Sequence, residues 1–394
     1  MREKLKSEKA LFVIFLFGII VLISLHIVKK FRMSDFNVYY TAGSRIVKGE
    51  NLYQVSDGFY HHKYSPFSAL FFSPLSIFNI YTAKIIWFLI LLWTINGIFI
   101  LCERFLSFRF PDLQHLNKTA LLAFLVLLTH FYRELYLGQV NAFIFFLLLV
   151  MFNFFLKGRD MLAGLFLALP IFFKPTGLFI LPYFLMKKRY KLLLWIMVFC
   201  VILFILPMVF YGFNGNIKQH KSWFSEISIQ LAGERPDMPH NLISSYGNHN
   251  IYNVLAVLTK TDMLLGGLTL KVYAAFLLLI FAAVFFNVIK KNKIKPPEVL
   301  EMAILLSAIP LFASSSSNCF VFTALGVYFV LAYWETVKNI SNFLKIFIFI
   351  SFLLIGGNIY ELWGRKMYET FNNWSLISIG TAMLIGFLGF SEYE

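Results

Sequence analysis

Asp35 opens the first sizeable polar segment between apolar runs, Ser34 to Phe67, and is one of only six aspartates in the chain. After it, apolar residues recur at Phe36, Tyr39/Tyr40, Gly43 and Ile46/Val47. That spacing predicts an amphipathic helix lying at a membrane interface. Two readings of Asp35 follow. Either Ser34 or Asp35 is the helix N-cap, or the carboxylate is a general base at the membrane surface. There is no D-x-D, H-E-x-x-H, G-x-S-x-G or glycine-rich phosphate loop. Glycoside hydrolysis usually needs two nearby carboxylates, and Asp plus Glu number only 20. A reaction with one base and a good leaving group suits this chain better. Sugar transfer from a lipid phosphate is such a reaction: the phosphate leaves as an anion, and cations stabilise its developing charge.

Candidate cations are at hand. Arg133 sits in Y-R-E-L-Y-L-G-Q-V-N, Lys174 in F-K-P-T-G, and Lys63 in H-H-K-Y-S-P. Two of them have plainer roles open: Arg133 can pair with Glu134, and Arg133 and Lys174 can both snorkel to the interface. Gln139 and Asn141 can bind sugar hydroxyls or hold helices together. The amide-rich stretch Asn241 to Asn250, with His249, reads as a sugar-binding rim or an ordinary polar loop. Ser314–Asn318 reads as a cavity lining or a solvated tip. The adjacent His61 and His62 point apart on regular structure and suggest no metal site. Asp57 before Gly58 reads first as a turn.

The elements behind these residues are membrane spans. The 394 residues have a mean hydropathy of +0.73, are 59% hydrophobic and only 14% charged. Continuously apolar runs exclude a β-barrel and indicate an all-α polytopic membrane protein with about twelve spans. The chain is expected to form a single domain, residues 1–394, with a first outer loop over about 29–82 and a long outer loop over about 212–263. The net charge of +15 is explained by cytoplasmic loop bias and by attraction to anionic headgroups, without nucleic acid. Basic patches at the N-terminus, at 187–191 and at 290–295 fall on one side if the N-terminus is inside. The apolar legs Met161–Phe173 and Thr176–Met186 flank Lys174-Pro175. At about 12 residues and 1.5 Å per residue they reach only about 18 Å, so they dip without crossing. The three cysteines show neither metal spacing nor a disulfide framework.

Together these residues resemble glycosyltransferase family 87, polytopic GT-C enzymes that use polyprenyl-phosphate sugars. The opening pattern D-x-x-x-Y-x-x-A/G…G-x-x-x-Y is matched by Asp35, Tyr39, Gly43, Gly49 and Tyr53. The Y-x-P turn is matched by Tyr64-Ser65-Pro66, with Pro74 following. G-Q-x-N is Gly138-Gln139-Val140-Asn141, and K-P is Lys174-Pro175. The late-loop pattern resembling S-P-x-S-W-x-H-H has no counterpart at Ser314–Phe320. That departure leaves donor and acceptor specificity open. The resemblance implies a GT-C-like helical bundle in the plasma or inner membrane, with its site on the extracytoplasmic face. It implies inverting transfer of a hexose, with mannose a candidate, from a polyprenyl-phosphate donor to a lipid-linked or cell-envelope glycan. Asp35 would be the base; Arg133, Lys174 and Lys63 would hold the donor phosphate. Tyr39, Tyr53, Tyr64, Gln139, Asn141, His249 and Asn318 are candidates for substrate contacts. No cofactor or obligatory metal is expected. The alternative is a transporter or flippase of lipid-linked saccharides.

Overall fold

The computed structural model describes residues 16–24, 31–111, 113, 116–232, 249–259, 267–291, 296–313, 316–337 and 340–390. All regular structure among them is helical. Most of the amide-rich stretch, residues 241–248, lies outside the described residues, as do 314 and 315 of the serine tip.

By length and composition, four helices among the described residues can cross a membrane: Ile80–Arg109, Lys118–Leu137, Lys271–Lys291 and Ser317–Thr336. Two bent pairs raise the number to six, and five further apolar helices have only 10–17 residues. The expectation of about twelve spans therefore resolves into long helices, bent pairs and short apolar helices. Apolar run length marked the runs but did not separate these three kinds. The chain is an α-helical, multi-pass membrane protein.

Two compact units divide the chain within two of its helices: residues 7–98 with 133–237, and residues 1–6 with 99–132 and 238–394. The first unit carries α1 (Ser34–Val47), α2 (Pro66–Phe72) and the start of α3 (Ile80–Arg109). It also holds the end of α4 (Leu116–Leu137) and all of α5 (Asn141–Leu156), α6 (Asp160–Phe173), α7 (Leu181–Met186), α8 (Tyr190–Ile205) and α9 (Met208–Ala232). The amphipathic prediction for α1 holds: Phe36, Tyr39, Ala42, Gly43 and Ile46 are buried, whereas Val47 is exposed.

Helix α2 crosses α1 at Gly43, where an added Cβ would lie 2.8 Å from the Phe72 carbonyl oxygen. Only a residue without a side chain permits this approach. The contact seats the Tyr39 ring on Phe72 at 4.8 Å, with 16° between planes. Phe72 also meets Trp87, which meets Phe143. Thus α1 rests on an aromatic layer supplied by α2, α3 and α5.

Helices α8 and α9 form one of the bent pairs, at 99°. The long outer loop expected from about residue 212 is corrected here: the chain is helical through Ala232, with a break at Gly212. Its polar residues Asn216, Gln219 and His220 are buried rather than loop-exposed. Gln219 accepts from the Leu52 N–H, and Asn216 donates to the Phe204 carbonyl at 2.9 Å. Polarity here marks a helix that packs with hydrogen bonds.

The second unit includes α10 (Ile251–Thr259), α11 (Gly267–Lys291), α12 (Pro297–Phe312), α13 (Ala324–Thr336), α14 (Asn342–Gly356), α15 (Tyr360–Asn373) and α16 (Leu376–Phe390). Helix α12 is buried on every side from Val299 to Leu311 and forms the centre of this unit. Helix α11 is its opposite: Val272, Phe276, Leu279 and Val284 all lie exposed. An apolar helix with an apolar exposed surface suits lipid contact.

Candidate active site

The chain enters α1 through Met33, which sits in the left-handed region at φ 41° and is wholly buried. This position is the N-cap, and it makes no side-chain cap bond. The expectation that Ser34 or Asp35 caps the helix is therefore corrected. A capping residue needs extended backbone ahead of the first turn, and both residues already lie inside the helix. The Asp35 carboxylate is left for another partner. Its Oδ2 accepts a hydrogen bond from Gln139 Nε2, 104 residues away.

Gln139 is delivered by the end of α4. Gly138 adopts φ 69°, and the Gln139 N–H reaches back to the Glu134 carbonyl at 3.0 Å. This is a helix C-terminus closed by a left-handed glycine. The glycine also admits close contact: a Cβ there would meet Phe36 Cβ and Met33 Cε at 2.8 Å. Its carbonyl accepts from Trp87 Nε1 at 3.0 Å. The G-Q-V-N element thus turns the chain and presses that turn against the first turn of α1.

The amide orientation of Gln139 follows from its neighbours. Tyr39 donates its hydroxyl to Oε1 at 3.2 Å, and Asn141 Nδ2 lies 3.4 Å from the same oxygen. With two donors on the oxygen, the NH2 end must face Asp35. Burial raises the Tyr39 pKa well above its ordinary value and so keeps it a donor. Because its proton points to Gln139, the Tyr64 hydroxyl, 3.0 Å away, donates to the Tyr39 oxygen. The order is Tyr64 to Tyr39 to Gln139 to Asp35, each donating to the next.

Burial is the largest influence on Asp35 and raises its pKa; the Gln139 hydrogen bond and the charges of Lys63 and Arg133 oppose that rise. The carboxylate is thereby desolvated, which strengthens it as a base, while one amide and two cations favour its ionised form. Lys63 and Arg133 are thus within electrostatic reach of Asp35.

Glu134, seen in the sequence only as a neighbour of Arg133, is wholly buried. Its Oε1 accepts from Asn141 Nδ2 at 2.9 Å and its Oε2 from the Ala142 N–H at 2.8 Å. It caps α5 across the turn, a role foreshadowed only by a carboxylate placed just before a glycine-bounded helix start. Asn141 holds the turn together from the same network.

The Y-S-P turn works through Ser65. It is the N-cap of α2, accepting from the Ser68 N–H at 3.3 Å, and Pro66 occupies the first helical position. Its hydroxyl also donates to the Phe172 carbonyl. This ties Tyr64 to the end of α6, immediately before Lys174. Lys174 lies in extended backbone between the short helices α6 and Pro175–Ile180, as the two-leg reading expected. The preceding Phe173 packs on Phe71 at 4.9 Å and on Phe72 at 6.3 Å. Tyr53 is buried with Ile46, Leu52 and Trp223, and its hydroxyl donates to the Tyr64 carbonyl at 2.7 Å.

His61 and His62 diverge, as expected. His61 Nε2 lies 2.9 Å from Glu226 Oε2, while His62 turns inward toward Ser65 and Ser68. Among the described residues, no three His, Cys, Asp or Glu side chains converge as a metal site. The two remaining candidates belong to the second unit. His249 is buried, with Nδ1 at 3.4 Å from Ser375 Oγ. Asn318 is buried in a tight turn, and neither polar atom of its amide has a partner among the described residues.

Comparison with known proteins adds an independent line. No curated protein matches the chain. A family model described as glycosyltransferase family 87 matches residues 61–316. The match holds Lys63, Tyr64, Arg133, Gln139, Asn141, Lys174 and His249; Asp35, Tyr39 and Tyr53 precede it and Asn318 follows it. Extending over more than half the sequence, it shows that this chain belongs to glycosyltransferase family 87 and is a membrane glycosyltransferase.

Proposed function

We propose that this enzyme moves a hexose from a polyprenyl-phosphate donor to a lipid-linked or cell-envelope glycan, with Asp35 as the general base. The observation that carries this reading is a carboxylate spared from helix capping, oriented by Gln139 and acted on by the charges of Lys63 and Arg133. In the reaction, Asp35 takes the proton of an acceptor hydroxyl. The freed oxygen attacks the anomeric carbon as the bond from that carbon to the phosphate oxygen breaks. The polyprenyl phosphate departs with the bonding electrons, and the proton on Asp35 passes to solvent. One in-line displacement inverts the anomeric centre.

Lys63, Arg133 and Lys174 stabilise the departing phosphate. Tyr39, Tyr64 and Gln139 position the base. Tyr53 and Asn141 act one step further out, holding the turns that carry Tyr64 and Gln139. Asn318, whose buried amide has no partner among the described residues, and His249 are proposed as substrate contacts. The reaction is assigned to the extracytoplasmic face of the plasma or inner membrane. The basic runs Lys187–Lys191 and Lys290–Lys295 support this, since such runs favour the cytoplasmic side.

The test is Asp35→Asn in the purified enzyme, supplied with a radiolabelled polyprenyl-phosphate sugar and an envelope lipid extract. The variant should elute and melt like the parent and lose transfer by at least about a thousandfold, within the range typical of a lost general base. Normal turnover by the Asn variant would remove Asp35 from the mechanism.

A further inference from the structure

A cavity of about 600 Å³ opens on another face of α1. Its lining includes Arg32, Ser34, Asn37, Thr41, His62 and Lys84. Ser34, Asn37 and Thr41 follow one another at helical spacing, and Asp35 lies about 100° around the helix from Ser34. The cavity is thus separate from the Asp35–Gln139 network, though it is built on the same helix.

The chemistry of its walls is specific. Arg45 and Asp57 also line it, but they neutralise each other through a double hydrogen bond, one arm at 2.8 Å. Arg32 and Lys84 have no ion-pair partner among the described residues and leave the cavity positive. Two further groups, Asn37 Oδ1 and His62 Nδ1, are buried and have no hydrogen-bond partner among the described residues. For His62 the missing partner can be specified. Ser68 spends its hydroxyl proton on the Ser65 carbonyl at 2.7 Å. His62 Nε2, 3.3 Å from Ser68 Oγ and 3.4 Å from the Ser65 carbonyl, must then be the protonated nitrogen. Burial lowers the His62 pKa to about 4, so the ring is neutral at physiological pH. Its Nδ1 is therefore a lone-pair acceptor, as is Asn37 Oδ1. A buried acceptor without a donor is costly. A ligand that supplies hydroxyl protons to these two atoms and an anion to Arg32 and Lys84 satisfies all four.

We propose that this cavity is a binding site for a hydroxyl-bearing phosphate ester, a polyol-phosphate headgroup, distinct from the cations assigned to the donor phosphate. The volume lies within the usual range for small-molecule sites. Phe31, Val38 and Tyr60 supply apolar wall for the non-polar edge of such a ligand. The proposal concerns binding and does not depend on Asp35 being the base.

The test is native mass spectrometry of the full-length protein in detergent with three probes. Phosphatidylglycerol carries phosphate and free hydroxyls, phosphatidic acid only phosphate, and phosphatidylcholine a cancelled charge. Phosphatidylglycerol should be retained most tightly. Arg32→Gln and Lys84→Gln should each weaken it by about tenfold, the scale of one charged hydrogen bond. Asn37→Leu should abolish the preference over phosphatidic acid, and Asp35→Asn should change nothing. If Lys84→Gln does not fold, Arg32→Gln carries the charge test alone. Displacement by glycerol 1-phosphate would identify a soluble ester as sufficient; resistance to it would assign the site to the lipid. Both outcomes support the site. Retention unchanged in the charge variants, or phosphatidylcholine bound as tightly as phosphatidylglycerol, overturns it.

Discussion

Replacing Gln139 with methionine keeps the side-chain volume and removes the amide that donates to Asp35. A hydrogen bond to a charged group contributes about 1.5–3 kcal/mol. One pKa unit corresponds to about 1.4 kcal/mol, so its loss should raise the Asp35 pKa by about one to two units. The sign follows from the balance at this residue: burial already raises the pKa, and the Gln139 bond is the first force opposing it. A general base works when ionised. The acidic limb of kcat/KM against pH should therefore move to higher pH by the same one to two units. At a pH below both limbs the variant should be about 10–100-fold slower; above both it should approach the parent rate. The assay is initial-rate sugar transfer from a radiolabelled lipid donor across a pH series, with melting temperature checked at each end. If activity falls by one constant factor at every pH, Gln139 contacts substrate and does not tune the base.

Gly43→Ala puts a methyl 2.8 Å from the Phe72 carbonyl oxygen, so α1 and α2 must separate; a loss of about 1–3 kcal/mol should appear as a lower melting temperature and reduced transfer. Glu134→Ala removes the acceptor of the Ala142 N–H and the shorter of the two Asn141 bonds; stability should fall by about 2–3 kcal/mol, with Glu134→Gln recovering part of it in the same thermal assay. His62 is held neutral in the folded protein, its pKa lowered from 6.5 to about 4. The unfolded chain then binds the extra proton first, so stability is full above about pH 6.5 and lost as pH falls toward about 4. The full loss is about 3 kcal/mol. Between pH 7 and 4 the melting temperature should fall more steeply for the parent than for His62→Gln.

Much of this molecule was legible in one dimension because the signals were local. Continuous apolar runs identify a helical membrane protein, since every backbone group in lipid must be paired within its own segment. The spacing of Phe36, Tyr39, Gly43 and Ile46 marked the buried face of α1, and Lys174-Pro175 marked the break between two short legs. These depend on neighbours within about a turn of helix. What depends on distant partners was not legible. That Asp35 does not cap its helix was decided by the left-handed entry at Met33, and its partner Gln139 lies a hundred residues on. Tyr53, read as a substrate contact, and Asn141, read as either a substrate contact or a tie between helices, both have protein partners. The polar residues after Gly212 looked like loop, yet Gln219 and Asn216 lie buried and bond to the Leu52 N–H and the Phe204 carbonyl. The positive cavity beside α1 had no trace in the sequence at all. Arg32 with Asn37, His62, and Lys84 come from three separate segments, and only the packing of α1, α3 and the 61–65 turn brings them to one space.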